Sequence, residues 1–94
     1  LNYWTFKDTL KQVLRGVELT NSIQMTFYIP FPKSYSKTKQ RALDGKPHTL
    51  KPDLDNLIKG FCDALYEDDS CIHTISASKV WAEKGKIRVD FLNS

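Results

Sequence analysis

Apolar and polar residues alternate with a period of two from Ser22 to Ile29, with Ile23, Met25, Phe27 and Ile29 on one side and Gln24, Thr26 and Tyr28 on the other. That is the pattern of a strand with one buried face. The period lengthens between Leu54 and Leu65, where Leu54, Leu57, Ile58, Phe61 and Leu65 share one helical face and Asp55, Asn56, Lys59 and Asp63 another. A less regular apolar face built from Trp4, Leu10, Val13 and Leu14 predicts a helix from Tyr3 to about Arg15, with Gly16 as its stop. Ile72 to Trp81 and Lys86 to Leu92 read as two further strands, joined as a hairpin around Ala82 to Gly85, with Ile87, Val89 and Phe91 facing inward. Between Pro30 and Pro52 runs a connection punctuated by Pro32, Gly45 and Pro47, too long to be an idle link in a compact domain. These elements predict a single α+β domain over residues 1–94, in two layers, with a mixed sheet of about four strands packed on two helices.

Ninety-four residues allow only a modest core, because a chain of this size buries about two-thirds of its unfolded surface. A partner subunit would add stability. The net charge of +3 is too mild to identify a nucleic-acid binder, but its distribution is uneven. Six basic residues, Lys33, Lys37, Lys39, Arg41, Lys46 and Lys51, face one acid, Asp44, between positions 33 and 51. From Pro52 to Asp69 six acids face one base, Lys59. A basic loop abutting an acidic cluster suits a polyanion held beside bound cations. No apolar stretch approaches the roughly 18 residues of a membrane span, and no charged head leads into an apolar core as in a signal peptide. The expectation is a soluble, cytoplasmic protein without a membrane partner. Cys62 on the apolar side of the predicted helix and Cys71 at the opening of a strand fit reduced thiols, and they lack the paired spacing of a zinc site with His48 and His73. The first residue is Leu1 rather than Met, so further residues are expected upstream.

The chemistry concentrates in Lys51-Pro-Asp53-Leu-Asp55-Asn56-Leu-Ile-Lys59-Gly-Phe-Cys-Asp63, followed by Glu67-Asp68-Asp69. Two carboxylates two apart, with a lysine four residues beyond the second, supply hard oxygen ligands for Mg²⁺ and a cation for a charged phosphate. Asp53 and Asp55 sit at the start of the helix, where its dipole favours their ionised state. Lys59 lies one turn beyond Asp55 and reaches the same face. A plain structural role would make Asp53 an N-cap and Asp55 and Lys59 a surface ion pair. Asp63, i+4 from Lys59, reads as a local partner orienting the lysine. An EF-hand loop starting at Asp53 would need glycine at its sixth position and glutamate at its twelfth, where this chain has Ile58 and Ala64.

Lys51-Pro-Asp53-Leu-Asp55-Asn56-Leu-Ile-Lys59, then Asp63-Ala-Leu65 and Tyr66-Glu-Asp68-Asp69-Ser-Cys-Ile72, resembles the RusA family of Holliday-junction resolvases. Pro32-Lys33-Ser34-Tyr35-Ser36-Lys37 and Gly45-Lys46-Pro47-His48 resemble that family's phage and prophage members. The resemblance runs from about Tyr28 to Trp81. It implies a small homodimeric Mg²⁺-dependent endodeoxyribonuclease that nicks symmetry-related strands of a four-way DNA junction. By position it makes Asp53, Asp55 and Asp69 the catalytic acids and metal ligands, Lys59 the essential lysine and Asp68 a further ligand. Lys33, Lys37, Lys39, Arg41, Lys46 and Lys51 would then hold the DNA backbone, with Tyr35 or Phe31 stacking on an unpaired base. Trp4, Phe27 and Trp81 are candidates for the dimer interface and equally for the core.

One step of the resemblance meets a geometric difficulty. A helix from Asp55 to Leu65 advances about 15 Å, while the four steps from Leu65 to Asp69 reach at most about 14 Å fully extended. The family carries a few more residues there, so this chain departs from the pattern at Tyr66. The helix ends early, a loop is left out of the sequence, or Asp69 completes the site of a second subunit. The resumption of the pattern at Ser70, Cys71 and Ile72 favours the omitted loop. Two alternatives to resolution stay open: a nuclease preferring flaps or other branched DNA, and a branched-DNA-binding module that does not cleave.

Overall fold

The computed structural model describes residues 10, 12, 14–16, 18–66 and 68–92. In chain order the elements are β1 (Ser22–Pro30), α1 (Lys37–Leu43), α2 (Leu54–Leu65), a 3-10 turn (Asp69–Cys71), β2 (Thr74–Ala82) and β3 (Lys86–Leu92). The predicted helix from Tyr3 to Arg15 falls largely outside the described residues. Its described part is helical at Leu10 and Gln12, the Leu14 amide donates to the Leu10 carbonyl at 3.0 Å, and Gly16, at φ +81°, ends it.

The strands form a three-stranded mixed sheet of order β2-β1-β3, not the expected four strands. β1 runs parallel to β2, with Phe27 opposite Lys79, and antiparallel to β3, with Met25 opposite Val89. The expected hairpin between β2 and β3 is therefore not formed: β1 lies between them. The link from Ala82 to Lys86 must pass over the end of β1, and a side chain at Gly85 would come within 3.3 Å of the Pro30 ring. The outer edge of β2 carries only a short extended segment, with an isolated bridge between Pro47 and Val80.

The long connection also holds a helix that the periodicity did not predict. α1 starts at Ser36, whose hydroxyl accepts the Lys39 amide at 3.2 Å, the usual way an N-cap serine satisfies a free donor. It ends at Asp44 and Gly45, where φ of +78° requires the left-handed conformation glycine tolerates. None of its residues is buried.

The core forms where the alternation of β1 meets the apolar face of α2. Ile23, Met25 and Phe27 are 0%, 1% and 2% exposed, and they pack with Leu10, Phe61, Cys62 and Ala64. Ile87, Val89 and Phe91 of β3 line the same side, as the sequence pattern predicts. Phe27 and Trp81, candidates for a dimer interface on sequence grounds, are both buried; Trp4 lies outside the described residues. Among the described residues no helix is long and apolar enough to cross a membrane.

Candidate active site

Asp53 occupies the N-cap position of α2 in extended conformation, yet its carboxylate makes no capping hydrogen bond to the helix. An aspartate there ordinarily accepts an amide of the first turn. Instead one oxygen lies 3.5 Å from the Lys51 ammonium, in a pair exposed to solvent. Asp55 follows in the first turn and Lys59 one turn later, both exposed. Neither Asp55 nor Asp63 pairs with Lys59; the ion pairs among the described residues are Lys51 with Asp53 and Arg88 with Asp90. The local roles that a purely structural reading gives Asp53, Asp55 and Asp63 are thus not taken up. Two carboxylates and an ammonium are left facing water on the first two turns of one helix.

The segment that delivers Asp53 is tied to β2. The Gly45 amide donates to the Trp81 carbonyl at 2.9 Å, the Trp81 amide returns a bond to the Lys46 carbonyl at 3.0 Å, and the His48 amide donates to the Lys79 carbonyl at 3.0 Å. His48 is buried against Trp81, with ring centroids 4.3 Å apart, and its Nδ1 has no hydrogen-bond partner. Burial first, and the neighbouring Lys79 charge second, push the imidazole below its ordinary pKa. Phe31 stacks on Trp81 at 5.4 Å, and Tyr35 tilts against it at 5.7 Å. The Lys79 ammonium donates to the carbonyls of Leu50 and Pro52 at 2.6 and 2.7 Å.

The second acidic group lies elsewhere. α2 runs its full length to Leu65, so an early helix end does not resolve the geometric difficulty. The Tyr66 amide then donates to the Cys62 carbonyl and its hydroxyl to the Thr20 carbonyl at 2.9 Å. The His73 amide donates to the Asn21 carbonyl at 2.9 Å. Asp68 and Asp69 are held between these two anchors, beside the start of β1, while Asp53 follows a segment fastened to Lys79, further along β2. Asp68 caps the 3-10 turn by accepting the Ser70 amide at 3.0 Å, and hydrogen bonding to Ser70 pulls its pKa below the ordinary carboxylate value. Asp69 lies near Cys62, whose thiol is pushed up in pKa by burial first and then by the Asp69 and Asp63 charges. Among the described residues no three His, Cys, Asp or Glu side chains gather as a metal-binding group. The structure brings Asp53, Asp55 and Lys59 to one end of α2 and leaves Asp68 and Asp69 at the other.

The six basic residues of the connection are all exposed. Lys37, Lys39 and Arg41 ride on α1, and the Lys39 ammonium sits 3.9 Å above the Tyr35 ring. Phe31, Lys37, Gln40, Arg41, Asp44 and Glu83 line an open cleft of about 450 Å³ beside this helix. Cys71, expected at the opening of a strand, is instead exposed in the 3-10 turn, and both cysteines are free thiols.

A family model described as endodeoxyribonuclease RusA matches residues 4–91. The chain belongs to the RusA endodeoxyribonuclease family. It is also similar to an uncharacterized protein of Bacillus subtilis strain 168, YqaN, with 40% identity over 77 residues covering 72% of this chain and 54% of that protein. The chain thus spans about half the length of the relative it matches. No solved structure matches it. Within this RusA-family chain, sequence reasoning missed that Lys79 and His48 fasten the segment leading to Asp53. A signal for Lys79 was present: in the alternation Ile75, Ala77, Lys79, Trp81 it is a charged residue on the inward-facing side of a strand.

Proposed function

We propose that this chain is the nuclease domain of a Mg²⁺-dependent endodeoxyribonuclease that acts on four-way DNA junctions as a homodimer, nicking symmetry-related strands. Family membership supports the reaction class. The observation that carries the site assignment is Asp53, an N-cap aspartate whose carboxylate makes no cap bond and stands exposed beside Asp55 and Lys59. Hard carboxylate oxygens beside open solvent fit a magnesium ion, which ordinarily takes one or two carboxylates and completes its shell with water and substrate phosphate. When bound, the ion neutralises phosphoryl charge and lowers the pKa of water.

The chain's own groups divide the remaining work. Asp53 and Asp55 would hold the metal at the N-terminal end of α2, where the positive end of the helix dipole attracts negative charge. Lys59 places an ammonium against the scissile phosphate and offsets the charge that builds in the transition state. Lys33, Lys37, Lys39, Arg41, Lys46 and Lys51 neutralise backbone phosphates on either side. Asp69, with Asp68 as a further ligand, is the second acidic group of this reading.

That no three His, Cys, Asp or Glu side chains gather among the described residues favours one other reading, a branched-DNA-binding module that does not cleave. Incubation of the protein with a labelled four-way junction and with linear duplex, each with and without Mg²⁺, decides between them. Mg²⁺-dependent nicking of the junction, abolished in Asp53→Asn and Asp69→Asn, is the expected result. Junction binding without nicking at any Mg²⁺ concentration would select the binding module.

A further inference from the structure

Lys79 lies in register with Phe27 on the side of the sheet that packs against α2. The residue is half-buried and its ammonium stands at the exposed rim of that side, within reach of backbone acceptors. It finds two carbonyls, those of Leu50 at 2.6 Å and Pro52 at 2.7 Å, 29 and 27 residues away in sequence. Its backbone carbonyl accepts the His48 amide at 3.0 Å. One residue of β2 therefore holds the incoming segment at positions 48, 50 and 52. The next residue is Asp53, whose side chain takes no hold on the helix it heads. Lys51, between the two bonded carbonyls, carries the ammonium paired with the Asp53 carboxylate.

Two carbonyl partners at once distinguish this exposed ammonium from a freely solvated one. A charged donor bridging two carbonyls fixes both peptide groups in direction, and through them the φ and ψ that aim the following side chain. The first turn of α2 restrains Asp53 from one side, since the Leu57 amide donates to the Asp53 carbonyl at 3.2 Å. Lys79 supplies the restraint from the other. We infer that Lys79 is a positioning residue: its ammonium, by clasping the Leu50 and Pro52 carbonyls, sets the Asp53 carboxylate in the orientation in which it holds metal beside phosphate. The inference rests on the nuclease reading of Asp53. Lys79 does not itself meet the substrate, and it acts through the backbone of residues 50–52.

The test compares wild type with Lys79→Met, which keeps most of the apolar stem, Lys79→Arg, which restores a cationic donor, and Lys84→Met in the β2–β3 link as a control. Three quantities are measured on each: Mg²⁺ affinity by calorimetry, junction affinity in the absence of metal, and amide hydrogen exchange across residues 49–55. Lys79→Met is expected to weaken Mg²⁺ binding by roughly 10- to 100-fold, the range for groups that hold metal ligands from behind. Junction affinity should stay within about twofold, because the exposed lysines and arginine that neutralise phosphates remain. Exchange across 49–55 should rise in Lys79→Met and be partly restored in Lys79→Arg. Lys84→Met should match wild type throughout. Unchanged exchange and unchanged Mg²⁺ affinity in Lys79→Met would overturn the inference, as would a loss of protection spread evenly over the whole sheet. Failure of the nuclease reading gives a different pattern: Asp53→Asn would bind Mg²⁺ as wild type does, while exchange at 49–55 would still report whether Lys79 holds the segment.

Discussion

Asp53→Asn separates the chemistry of the helix start from its stability, because asparagine and aspartate are equally good N-caps. A capping aspartate typically contributes about 1 kcal/mol through its bond to the first turn, but this carboxylate makes no such bond, so its replacement forfeits none. What the substitution removes is a 3.5 Å pair with Lys51, between side chains 88% and 50% exposed, and a charge at the helix N-terminus. An exposed pair of that length belongs at the low end of the roughly 0.2–1 kcal/mol such pairs contribute. The dipole adds about 0.3–1 kcal/mol. The total stays near or below about 1 kcal/mol, a shift of at most some 4–8 °C in Tm for a domain this size. Removal of a metal ligand acts on a larger scale: a 100-fold fall in cleavage corresponds to about 2.7 kcal/mol of transition-state stabilisation. Urea unfolding followed by tryptophan fluorescence gives the first quantity, and Mg²⁺-dependent nicking of a four-way junction gives the second. A stability loss well above 1 kcal/mol, with cleavage falling only as the folded fraction falls, would make Asp53 a structural residue and refute the reasoning.

Other consequences follow from burial and charge. His48 has a folded-state pKa below its unfolded value of about 6.5, so the unfolded chain binds the proton more readily; stability is full above that pH, falls as pH drops through it, and should flatten over pH 5–8 in His48→Gln, as measured by urea midpoints. Phe61→Ala, at a side chain 0% exposed, should cost about 3–5 kcal/mol, and a loss under 1 kcal/mol by the same titration would contradict the packing described. Neutralising Lys37, Lys39 and Arg41 together should leave stability within about 0.5 kcal/mol, since α1 buries none of its residues. The same change should make the salt dependence of junction binding shallower, by about 0.9 in log–log slope for each phosphate no longer neutralised. An unchanged slope would remove α1 from the DNA interface.

The parts of the fold that follow from short-range periodicity are legible in the sequence, and the parts set by long-range pairing are not. Alternation in β1 identifies Ile23, Met25 and Phe27 as inward residues, and all are buried. The apolar face from Leu54 to Leu65 gives α2 with its boundaries. Alternation says which face a residue occupies and not which strand lies beside it, so β2 and β3, adjacent in sequence, read as a hairpin although β1 separates them. α1 escapes the periodicity because a seven-residue helix with no buried residue leaves no apolar stripe. Its signal is chemical: Ser36 as a cap before the helix formers Lys37, Lys39, Gln40, Arg41, Ala42 and Leu43. Within the candidate site, the shared placement of Asp53, Asp55 and Lys59 can be read from sequence because they lie on one local element. The carbonyls that Lys79 clasps are bonded across the fold, and no spacing rule reaches them.

The position of the second acidic group follows from the same packing that makes the first group rigid. Phe61, Cys62 and Ala64 are locked against β1, so α2 cannot bend to bring its two ends together, and the advance of about 15 Å from Asp55 to Leu65 is fixed. Beyond Leu65, the bond from the Tyr66 hydroxyl to the Thr20 carbonyl holds the chain at the start of β1. The bond from the His73 amide to the Asn21 carbonyl closes the segment at the same place. Between these anchors the 3-10 turn uses Asp68 as its own cap, so one of the two carboxylates serves the turn that presents the other. Within one chain, Asp69 can approach Asp53 and Asp55 only if the Tyr66 anchor is released or the connection after Leu65 is longer. The spacing of the acids is therefore coupled to the length of one connection and to the bond between Tyr66 and Thr20, while the segment leading to Asp53 is bonded to β2 through Lys79.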